Sequence, residues 1–136
     1  MRTSLAACAA ITMLLAIAPL RAHHAPVMFD RTMKVELVGT VVEFAWTNPH
    51  ASIQLDVPTA SGGKDRWGVE MGSPNSMVRN GWKSNIIKAG DTVTITINPL
   101  RSGEHGGAFV SIKLADGRVL GDKWTEDIES KGVVGK

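Results

Sequence analysis

The sequence predicts an all-β domain with one short helix, folded as a small OB-like antiparallel β-barrel. Five or six short segments alternate apolar with polar residues, a glycine lies at a change of parity within the first, and one short helical segment separates the third from the fourth. A strand that bends at a glycine can serve both sides of a barrel. A β-sandwich is the alternative. The 136 residues suffice for one domain, and no repeat or linker divides them.

Residues 34–46 form the first predicted strand. Val35 and Leu37 lie on one parity of the pattern, whereas Phe44 lies on the other. Because the phase changes near Gly39, we expect a β-bulge at that glycine.

The next two predicted strands, residues 51–57 and 66–71, form a hairpin. Pairing Asp56 with Arg66 gives a register in which every opposed pair is chemically compatible. The inward pairs of this register are Leu55 with Trp67, Ile53 with Val69 and Ala51 with Met71.

A short helix is predicted after the hairpin. Ser73 resembles an N-cap with Pro74 at the first helical position, and the helix is expected to run through Val78 and to end near residues 80–81. Valine and isoleucine then alternate with threonine over residues 92–97, which predicts the fourth strand.

The remaining chain predicts a loop, a hairpin and a tail. Residues 101–107 are polar and glycine-rich, which indicates a loop before a strand at residues 110–114. Residues 116–117 form a hairpin turn to a last short strand at residues 119–120. Residues 122–136 are polar and without pattern, so we expect a flexible C-terminal tail.

Residues 1–22 have the pattern of a secretory signal peptide. Arg2 supplies a short positive start, residues 5–18 are almost entirely apolar, and Ala22 offers a small-residue cleavage site. A membrane span would need about 18 to 20 apolar residues. We therefore expect export to the periplasm or the medium, no stable membrane anchor, and a mature β-barrel domain of residues 23–121.

The charge of the mature chain argues against nucleic acid as a partner. Residues 23–136 hold 13 basic and 13 acidic residues, whereas a nucleic-acid or anionic-membrane binder needs a surplus of positive charge on one face. The single cysteine, Cys8, lies in the predicted signal. The mature chain would therefore have no disulfide, zinc-thiolate site or cysteine nucleophile.

Several short motifs carry a resemblance to a family of small exported bacterial proteins. They are His23-His24 after the signal, Phe29-Asp30, Gly39-Thr40-Val41, Trp46-Thr47-Asn48-Pro49-His50, Gly72-Ser73-Pro74-Asn75, Arg79 with Gly81-Trp82, and Ala115-Asp116-Gly117-Arg118. Together they resemble domain of unknown function 6152 over nearly the whole mature chain. The resemblance implies export and a small β-rich domain, and it supplies no activity.

Cleavage after Ala22 would create a candidate copper site. His23 would then carry both a free α-amine and an imidazole, which can chelate one metal ion as a histidine brace, and His24 would add a second imidazole. Nitrogen donors of this kind favour Cu(II) among first-row divalent ions. The alternatives are a solvated tail in which neither histidine has a role, and adventitious binding.

His50 is the candidate third ligand, at the mouth of the hairpin. In the predicted register it faces Gly72 and lies diagonal to Glu70, whose carboxylate would hold the imidazole in its metal-binding tautomer. The alternative is a hydrogen-bonded turn residue with no metal.

A competing hypothesis is a metal-free adaptor or small-ligand recognition module. Trp46 and Trp82 would form a groove with Asn48 and Arg79 on a barrel face, and an exported protein would be the partner. The alternatives are core packing for the two tryptophans and pairing of Arg79 with a buried Glu70.

Other residues offer weaker candidates. Met71 and Met77 are expected to fill the core, Met28 is a minor copper candidate, and His105 is expected to be a solvated loop residue. No Ser-His-Asp order, phosphate-binding loop or carboxylate pair can be recognised, so nothing in the sequence supports an enzyme.

Overall fold

The computed structural model describes residues 28–121, which contain six β-strands and one short helix. The elements are β1 (Val35–Ala45), β2 (Ser52–Pro58), β3 (Lys64–Glu70), α1 (Pro74–Val78), β4 (Thr92–Pro99), β5 (Gly106–Lys113) and β6 (Val119–Gly121). The predicted signal peptide, residues 23–27 and the predicted C-terminal tail lie outside the described residues.

The strands close into a barrel. Their order is β3-β2-β1-β4-β5-β6, and a parallel pairing of β3 with β5 closes the first five strands of this order into a ring, with β6 paired to β5 beside it. Every other pair of adjacent strands in this sheet is antiparallel. In the chain, α1 lies between β3 and β4. The predicted OB-like barrel is therefore confirmed, and the alternative of a sandwich is wrong because one sheet closes on itself.

The hairpin of β2 and β3 has the predicted register. Asp56 opposes Arg66, Leu55 opposes Trp67 and Ile53 opposes Val69. The apolar members of this register face a core in which Ile53 and Leu55 have no exposed surface. Alternation of apolar and polar residues was sufficient to fix this register because a slip of one residue would turn every side chain to the wrong face.

The bulge in β1 does not lie at Gly39 as predicted. The register between β1 and β2 shifts between Val41 and Glu43, so the buried parity that includes Leu37 continues for two residues past the glycine. Gly39 has a different role, because a Cβ there would lie 2.5 Å from the carbonyl oxygen of Asp56. The glycine permits close crossing of two strands, and the extra residue of the bulge lies three positions later.

The loop predicted over residues 101–107 is too long, because β5 starts at Gly106. Gly106 and Gly107 are buried, and a Cβ on Gly107 would lie 2.6 Å from the carbonyl oxygen of Asn98. Three residue pairs, from Gly68 opposite Gly106 to Glu70 opposite Ala108, form the parallel ladder between β3 and β5. This short ladder is called the seam below.

Residues 28–33, called the N-terminal strap below, run against the end of β4. Phe29 is 6% exposed and forms an antiparallel bridge with Leu100. The Asp30 N–H donates to the Pro99 carbonyl, and the buried amide of Asn98 donates to the Met33 carbonyl at 2.7 Å. The strap is therefore held against the end of β4 by backbone and side-chain hydrogen bonds and by a buried aromatic ring.

The predicted helix cap is present at α1. The Ser73 hydroxyl oxygen accepts a hydrogen bond from the Ser76 N–H at 3.3 Å, and Pro74 occupies the first turn. Within residues 28–121, no helix has both the length and the apolar character that a membrane crossing requires.

Candidate functional site

Two loops meet the ends of the seam. The β1–β2 loop, residues 46–51, ends beside the last residues of β3, and the β4–β5 loop, residues 100–105, leads directly into β5. The first loop reaches β3 beside Glu70, and the second reaches it beside Gly68, the partner of Gly106. The two loops therefore contact β3 at positions two residues apart.

His50 lies next to Glu70 in the β1–β2 loop. The His50 Nδ1 and Glu70 Oε1 atoms are 2.8 Å apart, and the two side chains are 48% and 44% exposed. Backbone hydrogen bonds hold them together, because Ala51 N–H donates to the Gly72 carbonyl and Met71 N–H donates to the Ala51 carbonyl. The neighbour expected from the register is thus present.

This contact determines which ring nitrogen of His50 is free. A carboxylate accepts hydrogen bonds and does not donate them, so Nδ1 carries the proton that faces Glu70. In the neutral imidazole the lone pair is then on Nε2, and the side chain is exposed enough for a ligand to reach it. This geometry suits a metal ligand.

His105 in the β4–β5 loop is not simply solvated, as the sequence suggested. Its ring stacks on Trp67, with the ring centroids 4.8 Å apart and the planes inclined by 20°. Its Nε2 lies 3.7 Å from Asp65 Oδ2, and the side chain is 47% exposed. The Gly68 N–H donates to the His105 carbonyl and holds the loop against β3. No local signal predicts this contact, since it depends on how the barrel closes.

Trp82 belongs to the core and not to a surface groove. It is 2% exposed, its ring contacts Phe44 and Phe109, and its indole N–H donates to the Gly121 carbonyl at 3.4 Å. Phe44 also contacts the ring of Trp46 edge-on. The groove hypothesis is therefore wrong for Trp82, because a side chain enclosed by aromatic neighbours offers no surface to a ligand.

The other groove candidates remain at the surface. Asn48 and Arg79 are exposed, and Trp46 is half-buried. Asn48 precedes a cis peptide bond to Pro49. The alternative role of Arg79, pairing with a buried Glu70, is wrong because Glu70 is 44% exposed and contacts His50.

The remaining metal candidates separate into two groups. Met71 and Met77 are 5% and 3% exposed, which confirms them as core residues, whereas Met28 is 52% exposed. His23 and His24 lie outside the described residues. Within residues 28–121, no three side chains of His, Cys, Asp or Glu are grouped so as to hold a metal ion.

Two basic side chains contact one carboxylate on the outer face of the β2–β3 hairpin. The Asp56 carboxylate contacts Arg66 and, at 2.7 Å, the Lys64 ammonium. The hydrogen bonds from Arg66 and Lys64 hold the pKa of Asp56 below its ordinary value of 3.8. Arg66 and Lys64 are therefore both engaged by the same carboxylate.

A cavity of about 200 Å³ lies at the other ends of β4 and β5. Its apolar wall includes Val93 and Leu114, and its rim carries Lys88 with Asp91 and Asp116 with Arg118. These rim charges are already paired at 3.0 Å and 2.7 Å, so they do not select a charged ligand.

Comparisons with known proteins give one family and one solved structure. Residues 11–110 match the model of a family of unknown function, DUF6152. No curated protein matches the chain. The barrel is similar to the crystal structure of the mitochondrial single-stranded DNA binding protein Rim1 from S. cerevisiae (Form2), with 12% identity and a TM-score of 0.45, over 61% of this chain and 94% of that one.

Proposed function

The chain belongs to the DUF6152 family, whose function is unknown. We propose that it is a binding protein for a copper ion, exported to the periplasm; export is proposed from the sequence of residues 1–22, and copper binding from the histidines and the geometry at His50. The ion would be held by the amine and imidazole of His23 at the processed N-terminus, with His24 and His50 as further imidazole donors. The protein would act by binding and not by catalysis.

The contact between His50 and Glu70 is the observation that carries this proposal. An imidazole that binds a metal commonly donates its other N–H to a carboxylate, which fixes the tautomer and raises the basicity of the ligand. The 2.8 Å contact has this form and leaves Nε2 accessible.

The choice of copper comes from the donor set. One amine and two or three neutral imidazoles are nitrogen donors, and the divalent ion of the first transition row that such donors bind most tightly is Cu(II). The residues after the predicted signal contain no cysteine, so a thiolate-bound zinc or Cu(I) site is not an alternative.

The metal-free recognition module receives less support. It needs an aromatic groove, and Trp82, one of its two tryptophans, is enclosed in the core. What remains at the surface is a half-buried Trp46 with the exposed Asn48 and Arg79. Loss of partner capture in Trp46→Ala or Arg79→Ala, with no copper bound to the wild type, would favour this module over the copper proposal.

The test uses protein that has been exported and processed by its own signal. Intact mass must correspond to residues 23–136, because a start at Ala22 would place His24 third and favour a different, amide-bound Cu(II) geometry. Copper is then titrated into this protein and into a form with one added glycine before His23, with affinity and electron paramagnetic resonance spectra as readouts.

A chelate that uses the amine of His23 should lose much of its affinity in the glycine-extended form, although every side chain is retained. His50→Ala and Glu70→Gln should each weaken binding by about tenfold or more, since both would disturb the same ligand. Identical affinities and spectra for the processed and extended forms would eliminate the brace, and a wild-type protein that binds no copper would eliminate the proposed function.

A further inference from the structure

We propose that the cavity where β4 begins and β5 ends binds a small, uncharged, apolar molecule built on a single ring. This site is independent of the proposed copper site, because none of the residues that line the cavity is a candidate copper ligand. Its walls come from the turn that precedes β4 and from the turn that joins β5 to β6.

The floor of the cavity is part of the barrel core. Ile87, Val93 and Leu114 line it, and all three side chains are buried. Val93 is the second residue of β4 and Leu114 directly follows β5, so the floor lies where two paired strands meet the end of the barrel. Mouths of β-barrels are common places for ligand sites because core side chains reach the surface there.

The first wall is a turn whose hydrogen bonds hold it in shape. The Asp91 N–H donates to the Lys88 carbonyl at 3.1 Å, and the Lys88 N–H donates to Asp91 Oδ2 at 3.0 Å. The turn is also tied to β1, since the Gly90 N–H donates to the Val41 carbonyl and the Val41 N–H donates to the Asp91 carbonyl. None of these four hydrogen bonds needs a ligand, so this wall is formed in advance.

The second wall is the turn between β5 and β6, which is closed in the same way. The Gly117 N–H donates to the Leu114 carbonyl and the Leu114 N–H donates to the Arg118 carbonyl, both at 2.9 Å. The Arg118 N–H also donates to Asp116 Oδ1 at 3.0 Å. Because both walls are formed in advance, a ligand that enters between them orders few protein groups and loses little affinity to that ordering.

The charged side chains of the rim are paired within each turn and not across the mouth. Lys88 Nζ lies 3.0 Å from Asp91 Oδ1, and Arg118 Nε lies 2.7 Å from Asp116 Oδ2. Within residues 28–121, no ion pair joins one turn to the other. The mouth is therefore not bridged, and a charged ligand would lose its hydration without gaining a free counter-ion. These charges favour an uncharged ligand.

The volume of the cavity sets the size of this ligand. It is about 200 Å³, and an apolar cavity of about 150 Å³ is large enough for benzene. Pockets for drug-sized ligands and cofactors begin at about 300 Å³. A single ring with a short substituent therefore fits the cavity, whereas a cofactor does not.

The test uses benzyl alcohol as the uncharged probe, with benzoate and benzylammonium as charged molecules of similar shape. Each is titrated into methyl-labelled protein, and the NMR shifts of Ile87, Val93 and Leu114 are followed. We expect saturable shifts at these residues with benzyl alcohol, and binding weaker by about tenfold or more for both charged probes, because each would place an unpaired charge against apolar walls. Equal affinity for the three probes, or no saturable shift at these residues, would overturn the inference.

Two alanines provide matched variants. Ala115 lines the cavity, whereas Ala89 is exposed in the first turn and does not line it. Ala115→Phe places a ring at the mouth and should abolish saturable binding of benzyl alcohol, while Ala89→Phe should bind it as the wild type does. Equal binding by both variants would contradict the assignment of the site.

A further readout needs no variant. Nuclear Overhauser effects between the ring protons of benzyl alcohol and the methyl groups of Val93 and Leu114 should appear in the wild type, since both side chains belong to the floor. Effects seen only at other residues would place the probe elsewhere and overturn the inference. Neither result bears on copper binding, which involves none of these residues.

Discussion

The α-carbon of Gly39 lies directly against the backbone of Asp56, so that a Cβ at position 39 would be 2.5 Å from the Asp56 carbonyl oxygen and 2.9 Å from Leu55 Cγ. Both neighbours belong to β2, where the main chain cannot yield without breaking the ladder with β1. A side chain at position 39 is therefore accepted only if β1 or β2 shifts.

Gly39→Ala should therefore destabilise the domain by about 1 to 3 kcal/mol, the usual range for overpacking a well-packed region. Gly63→Ala is the control, because its Cβ would lie 3.4 Å from the hydroxyl of Thr59 in an exposed loop. Urea denaturation of the two variants measures the difference. Equal stability of both would mean that β1 and β2 cross less closely than described.

Substitutions at the adjacent positions Leu55 and Asp56 test which face of the hairpin is turned towards the core. Leu55 has no exposed surface, so Leu55→Asp places an unpaired charge in the core at a cost of several kcal/mol and should prevent folding. Asp56→Ser removes an ion pair on the outer face, with partners that are more than half exposed, and should leave the protein folded. Circular dichroism and thermal melting distinguish the two, and similar tolerance at both sites would contradict the register.

Acid should destabilise the protein through Asp56. Hydrogen bonds from Arg66 and then Lys64 lower its pKa in the folded state, so its stabilising contribution is complete above the unfolded pKa near 3.8 and is lost as the pH falls through the lower folded value. We expect unfolding free energy to fall below about pH 4. In Asp56→Asn this dependence should be shallower, and an unchanged slope between about pH 5 and pH 2 would show that Asp56 contributes nothing.

The N-cap of α1 should contribute measurably in spite of the short helix. Ser73→Ala removes the hydroxyl that accepts from the Ser76 N–H and should cost about 1 kcal/mol. Ser76→Ala is the matched control, since only the backbone of Ser76 takes part in the cap. If the control lowers the chemical-denaturation midpoint as much as Ser73→Ala does, the cap is not the source of the loss.

Copper affinity should depend steeply on pH. Binding through His23 requires a deprotonated amine and a neutral imidazole, whose reference pKa values are about 7.7 to 8.0 and 6.5, so protons compete increasingly below about pH 6. Competition titrations across this range measure the effect. A copper affinity that stays constant down to about pH 5 would be inconsistent with amine and imidazole ligands.

The sequence predicted correctly the elements that depend on residues close together in the chain. The alternation in β2 and β3 determines which residues face the core, and the order Ser73-Pro74 determines where α1 begins. The register depends on which face of the hairpin must be buried, and the cap depends on residues three positions apart. Both predictions were confirmed.

The errors concern contacts that only the closed barrel creates. Gly106 and Gly107 have the composition of a loop, yet they are buried strand residues because their lack of side chains admits β4 and Leu100 at close range. The prediction of a bulge at Gly39 is wrong because a glycine in a strand marks the close approach of another strand as readily as a change of phase, and the register shifts between Val41 and Glu43 instead. The stack of His105 on Trp67 joins residues 38 positions apart and has no periodic signal.

The strap has a consequence for how the start of the described chain and β4 depend on each other. The amide of Asn98 and the Leu100 bridge anchor residues 28–33 to the end of β4, and the Phe29 side chain is buried there. Local opening of the strap would expose this side chain and leave the buried Asn98 amide without its acceptor, so residues 28–33 belong to the same cooperative unit as β4.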